Sequence, residues 1–440
     1  MEMRRLLLRS FDLRLRLFLG SLLLVMPASV ALGSGFSIFE QGAKATGMGG
    51  AFAATADDPS AIFYNVAGIA YQRKMAAMVG GTIINFANQF EGSLDDSLTA
   101  GRREFYARHT YIPPNAYAII PIGENITVGV GSFGAFGLRT HWDNESSYTG
   151  RFISQDANLK VASVEPAIAW KTSSGRFALG FGAEYRTSHV SLERNIPAIN
   201  PFTNRIVDIA HVRLNSDWSD AWGFNVGAIF KVNETCQIGL SHRSEMTIDY
   251  TGDAKFTQIP TGNAQLDAII RNTRLPPDQN INTSVDYPSL THLGFATTAI
   301  PNWQIEFDTV WATWSNFKEL AVNFETTPAN SFVTPQNWED TFSYRLGGNR
   351  RVTENADIRL GIVYDENPQP VEGVGPLLPD SDRIGVSFGI GYRYGPFTIE
   401  ASDLVLHFMD RDTLGRNREN YNGTYKTSAN LLSVNVGYTF

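Results

Sequence analysis

The chain has 440 residues, 43% of them hydrophobic, with 39 Gly and a formal net charge of −8. That acidic balance excludes a phosphate-binding surface, and with it nucleic acid as a partner. Cys236 is the only cysteine, so neither an internal disulfide nor a thiolate metal cluster can form.

Residues 1–33 read as an export signal. Arg4, Arg5, Arg9, Arg14 and Arg16 make a basic start, residues 17–31 are mostly apolar, and Ala31-Leu32-Gly33 places small residues where a signal peptidase cuts. The mature chain is expected to begin near Ser34. No later segment holds the roughly eighteen uninterrupted apolar residues of a spanning helix. An exported chain of this kind is soluble or a closed barrel, because only helices and closed barrels satisfy every backbone group in lipid.

Residues 34–72 do not alternate. Gly42, Gly47, Gly49 and Gly50 precede an Ala-rich run and then Tyr64-Asn65-Val66-Ala67-Gly68-Ile69. Phe36, Ile38, Phe39, Phe52, Ile62, Phe63 and Ile69 are poorly placed in water. Burying such side chains is worth roughly 1.5–3 kcal/mol each. The segment is therefore expected to fold as a plug inside whatever residues 73–440 build.

From about residue 73 the chain falls into period-two segments. Phe177, Leu179, Phe181, Ala183 and Tyr185 oppose Gly180, Gly182, Glu184 and Arg186. Ile384, Val386, Phe388, Ile390 and Tyr392 oppose Gly385, Ser387, Gly389 and Gly391. Short connections near 121–125, 172–175, 233–235, 300–302, 353–355 and 394–396 alternate with long polar ones near 91–110, 135–157, 191–206, 251–282, 318–337, 366–380 and 409–428. Long loops at one end and tight turns at the other predict an all-β, transmembrane antiparallel β-barrel of about fourteen strands. The chain closes on Leu432, Val434, Val436, Tyr438 and Phe440, which share one strand face. This ending resembles the last strand of bacterial outer-membrane barrels, and the likeness implies that Phe440 is an assembly signal.

The order and spacing of several motifs resemble the FadL-type family of outer-membrane transporters of hydrophobic compounds. They are Ser34-Gly35-Phe36, Ala56-Asp57-Asp58, Asn65-x-Ala67-Gly68, Phe136-Gly137-Leu138, Trp311-x-x-Trp314-Ser315-x-Phe317, the run from Arg359 to Asp365, and Leu378-Pro379-Asp380-Ser381-Asp382-Arg383. In that family Asp57, Asp58, Asn65, Ala67 and Gly68 fall in a hatch, although Val66 stands where the family usually has proline. The likeness implies a monomer in the outer membrane, in contact with lipid and lipopolysaccharide and inserted by the barrel-assembly machinery. It implies passive uptake of a hydrophobic ligand, long-chain fatty acids first and aromatic hydrocarbons second. The ligand is caught among the loops, held beside the hatch, and released sideways into the bilayer.

Candidate residues follow. The glycine-rich third strand, with Gly129, Gly131 and Gly134, suits a lateral gap or room for the plug. Phe36, Phe39, Phe136, Leu138, Trp142, Ile269 and Ile270 are candidate ligand walls, the last two on a short amphipathic helix expected over 264–273. Arg186 and Arg194 are candidate partners for a ligand carboxylate, or members of an internal ion-pair ladder. The seven histidines form no triad or zinc spacing, and no Gly-x-Ser-x-Gly elbow occurs. No catalysis, cofactor or metal is expected.

Overall fold

The computed structural model describes residues 35–440 except 97, 108 and 144–146, so the export signal expected over 1–33 and its junction at Ser34 lie outside the described residues. Period-two alternation drives fourteen antiparallel strands that close on themselves. In chain order they are β1 (Ala76–Gly92), β2 (Arg103–Phe105, Thr110–Tyr111 and Pro114–Ile122), β3 (Ile126–Phe133 and Leu138–His141) and β4 (Asp156–Lys171). Next come β5 (Phe177–Asn200), β6 (Arg205–Ser216 and Ser219–Lys231), β7 (Cys236–Arg243 and Met246–Gln258) and β8 (Gln279–Tyr287 and Leu290–Thr297). The rest are β9 (Trp303–Ala312 and Glu319–Phe324), β10 (Phe332–Pro335 and Thr341–Arg351), β11 (Ala356–Asp365), β12 (Arg383–Tyr394), β13 (Phe397–Phe408) and β14 (Gly423–Thr439). Each strand pairs with the next, and β1 closes the ring on β14 from Ala76↔Thr439 to Gly92↔Gly423.

The sides of the cylinder are inverted relative to a water-soluble core. Leu179, Phe224, Leu240, Phe295, Phe307, Leu360, Val386 and Val434 are exposed on its outside. Glu184, Arg186, Asn225, Arg243, Glu306, Asp308, Arg345 and Arg359 are buried within. An apolar skin around a polar, internally paired lumen is what a bilayer demands. Tight turns at one end use Gly123, Gly175 and Gly395 at φ 72, 67 and 57°.

Several expected loops are in fact strand. The connection placed at 191–206 is mostly hairpin, since β5 runs to Asn200 and β6 starts at Arg205. That expected at 318–337 contains a second hairpin, Glu319↔Pro335 to Val322↔Phe332. Their residues are polar or exposed on one side, which hides a strand continuing above the membrane. The helix in the 251–282 connection spans Ala264–Ile269, capped by the Asn263 side chain, and a π turn carries it to Arg274 before Pro276-Pro277.

Residues 35–72 contain two short helices, α1 (Ala43–Gly47) and α2 (Ala61–Tyr64), and a 3-10 turn at Val66–Tyr71. Nearly all of this segment is buried. It is held by carboxylates and by close backbone approach. Asp308 accepts from the N–H groups of Phe52 and Ala53 at 2.8 Å each, while Glu306 accepts from Ala54 and Thr55 at 2.6 and 2.9 Å. Inward glycines make the room: a β-carbon on Gly239 would lie 2.1 Å from Ala53 O, and one on Gly361 2.1 Å from Gly49 N.

Candidate functional site

The wall is interrupted between β2 and β3, where β3 breaks its register on both edges. β3 pairs with β4 from Ile126↔Trp170 to Phe133↔Ser163, then resumes at Leu138↔Leu159. Residues 134–137 thus oppose only 160–162, one extra residue, as in a β-bulge. On its other edge β3 pairs with β2 only as far as Ser132↔Ala116, and contact is regained at the Tyr106↔Trp142 bridge. Among the described residues no backbone pairing joins 109–115 of β2 to 133–140 of β3, while β2 itself stays paired to β1 at Thr110↔Asn85 and Pro114↔Gly81.

The freed backbone groups of the break turn inward and are taken up by the N-terminal segment. Ile38 N donates to Ala135 O at 2.8 Å, Gly137 N to Phe36 O at 2.9 Å, and the Gln41 side-chain amide to Gly134 O at 2.7 Å. The break in β3 and the N-terminal segment are therefore one hydrogen-bonded unit.

A cavity of about 190 Å³ lies on the loop side of Phe36. Its walls include Leu138, Leu159, Val190, Leu192, Val212, Leu214, Ile281, Val285, Leu320, Val322, Phe332 and Trp338. The inner face of β5 shows why it sits there: Glu184, Arg186 and Ser188 give way to Val190 and Leu192, and then to Arg194. The lumen thus changes from ionic to apolar along a single strand, with charge returning at the mouth. Phe36 is held edge-on by Trp314 at 4.7 Å, Tyr287 at 5.7 Å, Phe317 at 5.9 Å and Phe136 at 6.0 Å.

At the mouth the Arg194 guanidinium lies over the Phe332 ring at 5.0 Å, facing Glu419. Burial pushes the Glu419 carboxyl above its ordinary range, while Arg194 and then Arg418 draw it down. Arg186 has a different setting. It is fully buried, bonds Glu184 through Nη2 at 2.8 Å, and stacks on Phe136 and Tyr287 at 4.6 and 5.0 Å.

Of the residues singled out above, the structure brings Phe36, Leu138 and Arg194 to the cavity. Phe39 packs instead against Arg345 and His292, and Phe136 and Arg186 lie beneath Phe36. Trp142 stacks with Tyr148 at 4.9 Å and donates to Pro376 O at 3.0 Å. Ile269 and Ile270 line a smaller hollow against Ile199, Val207 and Ile209. Gly129 and Gly131 sit in paired strand against Ile62, whereas Gly134 is in the break. Phe440 is exposed beside Tyr438 at 4.7 Å.

In the N-terminal segment, Asp57 pairs with Lys44 at 2.6 Å and Asp58 accepts from Ser60 N at 2.8 Å. Asn65 caps the 3-10 turn through Ala67 N at 3.1 Å and donates to Ala53 O at 2.7 Å. Gly68 lies against Ala56, where a β-carbon would be 2.1 Å from Ala56 O. Val66 holds the first position of that turn, where a proline is also at home. The sequence reading missed Val190, Leu192, Leu214, Phe332 and Trp338. Only the switch from charged to apolar side chains on the inner faces of β5 and β6 pointed to them.

The family described as outer membrane protein transport protein (OMPP1/FadL/TodX) matches residues 24–440. A long-chain fatty acid transport protein of Escherichia coli O6:H1 is 26% identical over 96% of this chain and 99% of its own. A solved Pseudomonas aeruginosa FadL homologue superposes with a TM-score of 0.78 at 19% identity, covering 92% of this chain and 100% of its own. The Pseudomonas putida toluene transporter TodX gives 0.74 at 16% identity over 91% and 98%.

Proposed function

This chain belongs to the OMPP1/FadL/TodX family of outer-membrane transport proteins, and from that premise we propose that it takes up hydrophobic compounds by lateral release. The observation that carries this reading is the apolar cavity lined by Phe36 of the N-terminal segment and by Leu138 and Leu159, the pair at which β3 resumes on β4 after the break. A ligand bound there leaves water without entering an aqueous pore. It gains about 0.8 kcal/mol for each buried CH₂. Residues 34–72 act as the hatch, and because Phe36 is both cavity floor and hydrogen-bond partner of the break, a shift of this segment opens cavity and gap together.

Long-chain fatty acids are the ligand class we favour, because Arg194 and Arg418 stand beside Glu419 at the charged mouth of a largely apolar chamber and offer a carboxylate a cationic anchor. The E. coli relative is named for such acids. The TodX fold is named for toluene, and the aromatic lining of Phe36, Phe317, Phe332 and Trp338 favours aromatic hydrocarbons as the second reading. The protein works as a monomer in contact with lipid and lipopolysaccharide, and Phe440 on the last strand is the contact for the assembly machinery. Binding of a long-chain acid and of toluene to the detergent-solubilised full chain tests the assignment. Filling the cavity with Leu192→Trp is expected to weaken the acid about tenfold or more, the scale of 1.4 kcal/mol. Unchanged binding of both ligands contradicts it.

A further inference from the structure

The gap closes toward the loops at a cluster of ionisable groups that neither cavity nor hatch uses. His109 stands on the β2 lip and His141 on the β3 lip, their ring centroids 5.3 Å apart. Asp156 of β4 backs them: it accepts from Arg139 and meets His141 Nδ1 at 2.8 Å. Tyr111 lies 6.3 Å from His109 on the same lip, and Asp143 also faces His109. Behind Asp156, in register with it on β5, Glu193 pairs with His211 and Arg213 of β6 at 3.3 Å each. His109 is exposed, and the side chains of Arg139 and His141 are about a fifth to a quarter exposed, so the cluster is open to water at the end of the gap, where Ala107 N donates to His141 O.

Sideways release poses a chemical problem for an acid. Moving an ionised carboxylate into hydrocarbon is prohibitively costly, whereas the neutral acid partitions readily. Histidine is the side chain whose proton is exchangeable near neutral pH, and at His109 partial burial, His141 and Arg139 favour the neutral form against Asp156 and Asp143, so its imidazolium gives up a proton readily. We propose that the His109–His141 pair protonates a carboxylate ligand as it passes the gap, making this a transporter that delivers carboxylic acids to the bilayer in neutral form.

The step balances. An imidazolium N–H bond breaks and a carboxyl O–H bond forms, giving neutral imidazole and neutral acid. The imidazole takes its next proton from extracellular water. Arg139 stays paired with Asp156 and draws the carboxylate toward the lips. The inference rests on the lateral-release reading and adds a substrate class and a proton donor to it.

The test is influx into liposomes containing the purified full chain, comparing a long-chain carboxylic acid with the primary alcohol of equal length. At about pH 7 a free carboxylic acid is almost wholly ionised, while near pH 5 a substantial fraction carries its own proton. The double variant H109Q/H141Q is expected to lower the acid-to-alcohol influx ratio about tenfold near pH 7 and to restore it near pH 5. The exposed single change H109Q is expected to show the same trend, which guards against misfolding of the double variant. An unchanged ratio near pH 7, or a loss that persists near pH 5, overturns the proposal. Deleting Gly134 distinguishes the two levels: alcohol influx that survives this deletion overturns lateral release itself, whatever the histidines do.

Discussion

Asp308 Oδ2 holds the backbone N–H of Phe52 at 2.8 Å, from the inner face of β9 to the middle of the N-terminal segment. With Glu306 it grips four successive N–H groups, residues 52–55, without a helix or strand in the gripped stretch. Each buried donor left unsatisfied costs about 1–3 kcal/mol. The double variant E306Q/D308N is expected to release the segment and to give a steady ion current in planar bilayers. A sealed barrel in that assay contradicts the clamp.

Close approach at Gly239 and Gly361 makes a second prediction. A methyl group at either position meets backbone of the N-terminal segment at 2.1 Å, and backbone cannot yield as a flexible side-chain tip does. Overpacking of this kind costs about 1–3 kcal/mol. Gly239→Ala is expected to leave the barrel folded in detergent but to expose residues 35–72 to protease. Resistance equal to that of the parent chain contradicts tight seating.

The two arginines separate by partner. Arg186 and its partner Glu184 are wholly buried, and removing one member of such a pair costs about 3–5 kcal/mol. Arg186→Met is expected to lower thermal stability strongly. Arg194→Met is expected to cost less stability than Arg186→Met, since Arg194 is paired only across the mouth with Glu419, and to weaken binding of a long-chain acid, measured by calorimetry, while sparing the matching alcohol. Equal losses for both ligands contradict a carboxylate anchor at Arg194.

The barrel was legible because its signal is local and repeated: alternation along every strand, tight turns alternating with long loops, and no spanning helix. The extension of β5 to Asn200 was not, because charged and polar residues alternate there on a hairpin that leaves the membrane. Glycines at 129–137 drew attention to the third strand, but the break at 134–137 appears only when its register is counted against β4. Sequence also treated Arg186 and Arg194 alike. They share one face of β5, and what parts them is Glu184 at one level and an apolar chamber at the other, built from residues as distant as Leu138 and Trp338. Such convergence of many strands leaves no local pattern.

Sideways release depends most on the opening between β2 and β3. Deleting Gly134 removes the single surplus residue, brings Leu138 into phase with Phe133, and is expected to let β3 run straight and pair with β2. Influx of a long-chain alcohol into liposomes containing the deleted chain is the most direct measurement. Influx is expected to fall to the level of empty liposomes while the barrel remains folded. Influx equal to that of the intact chain contradicts sideways release.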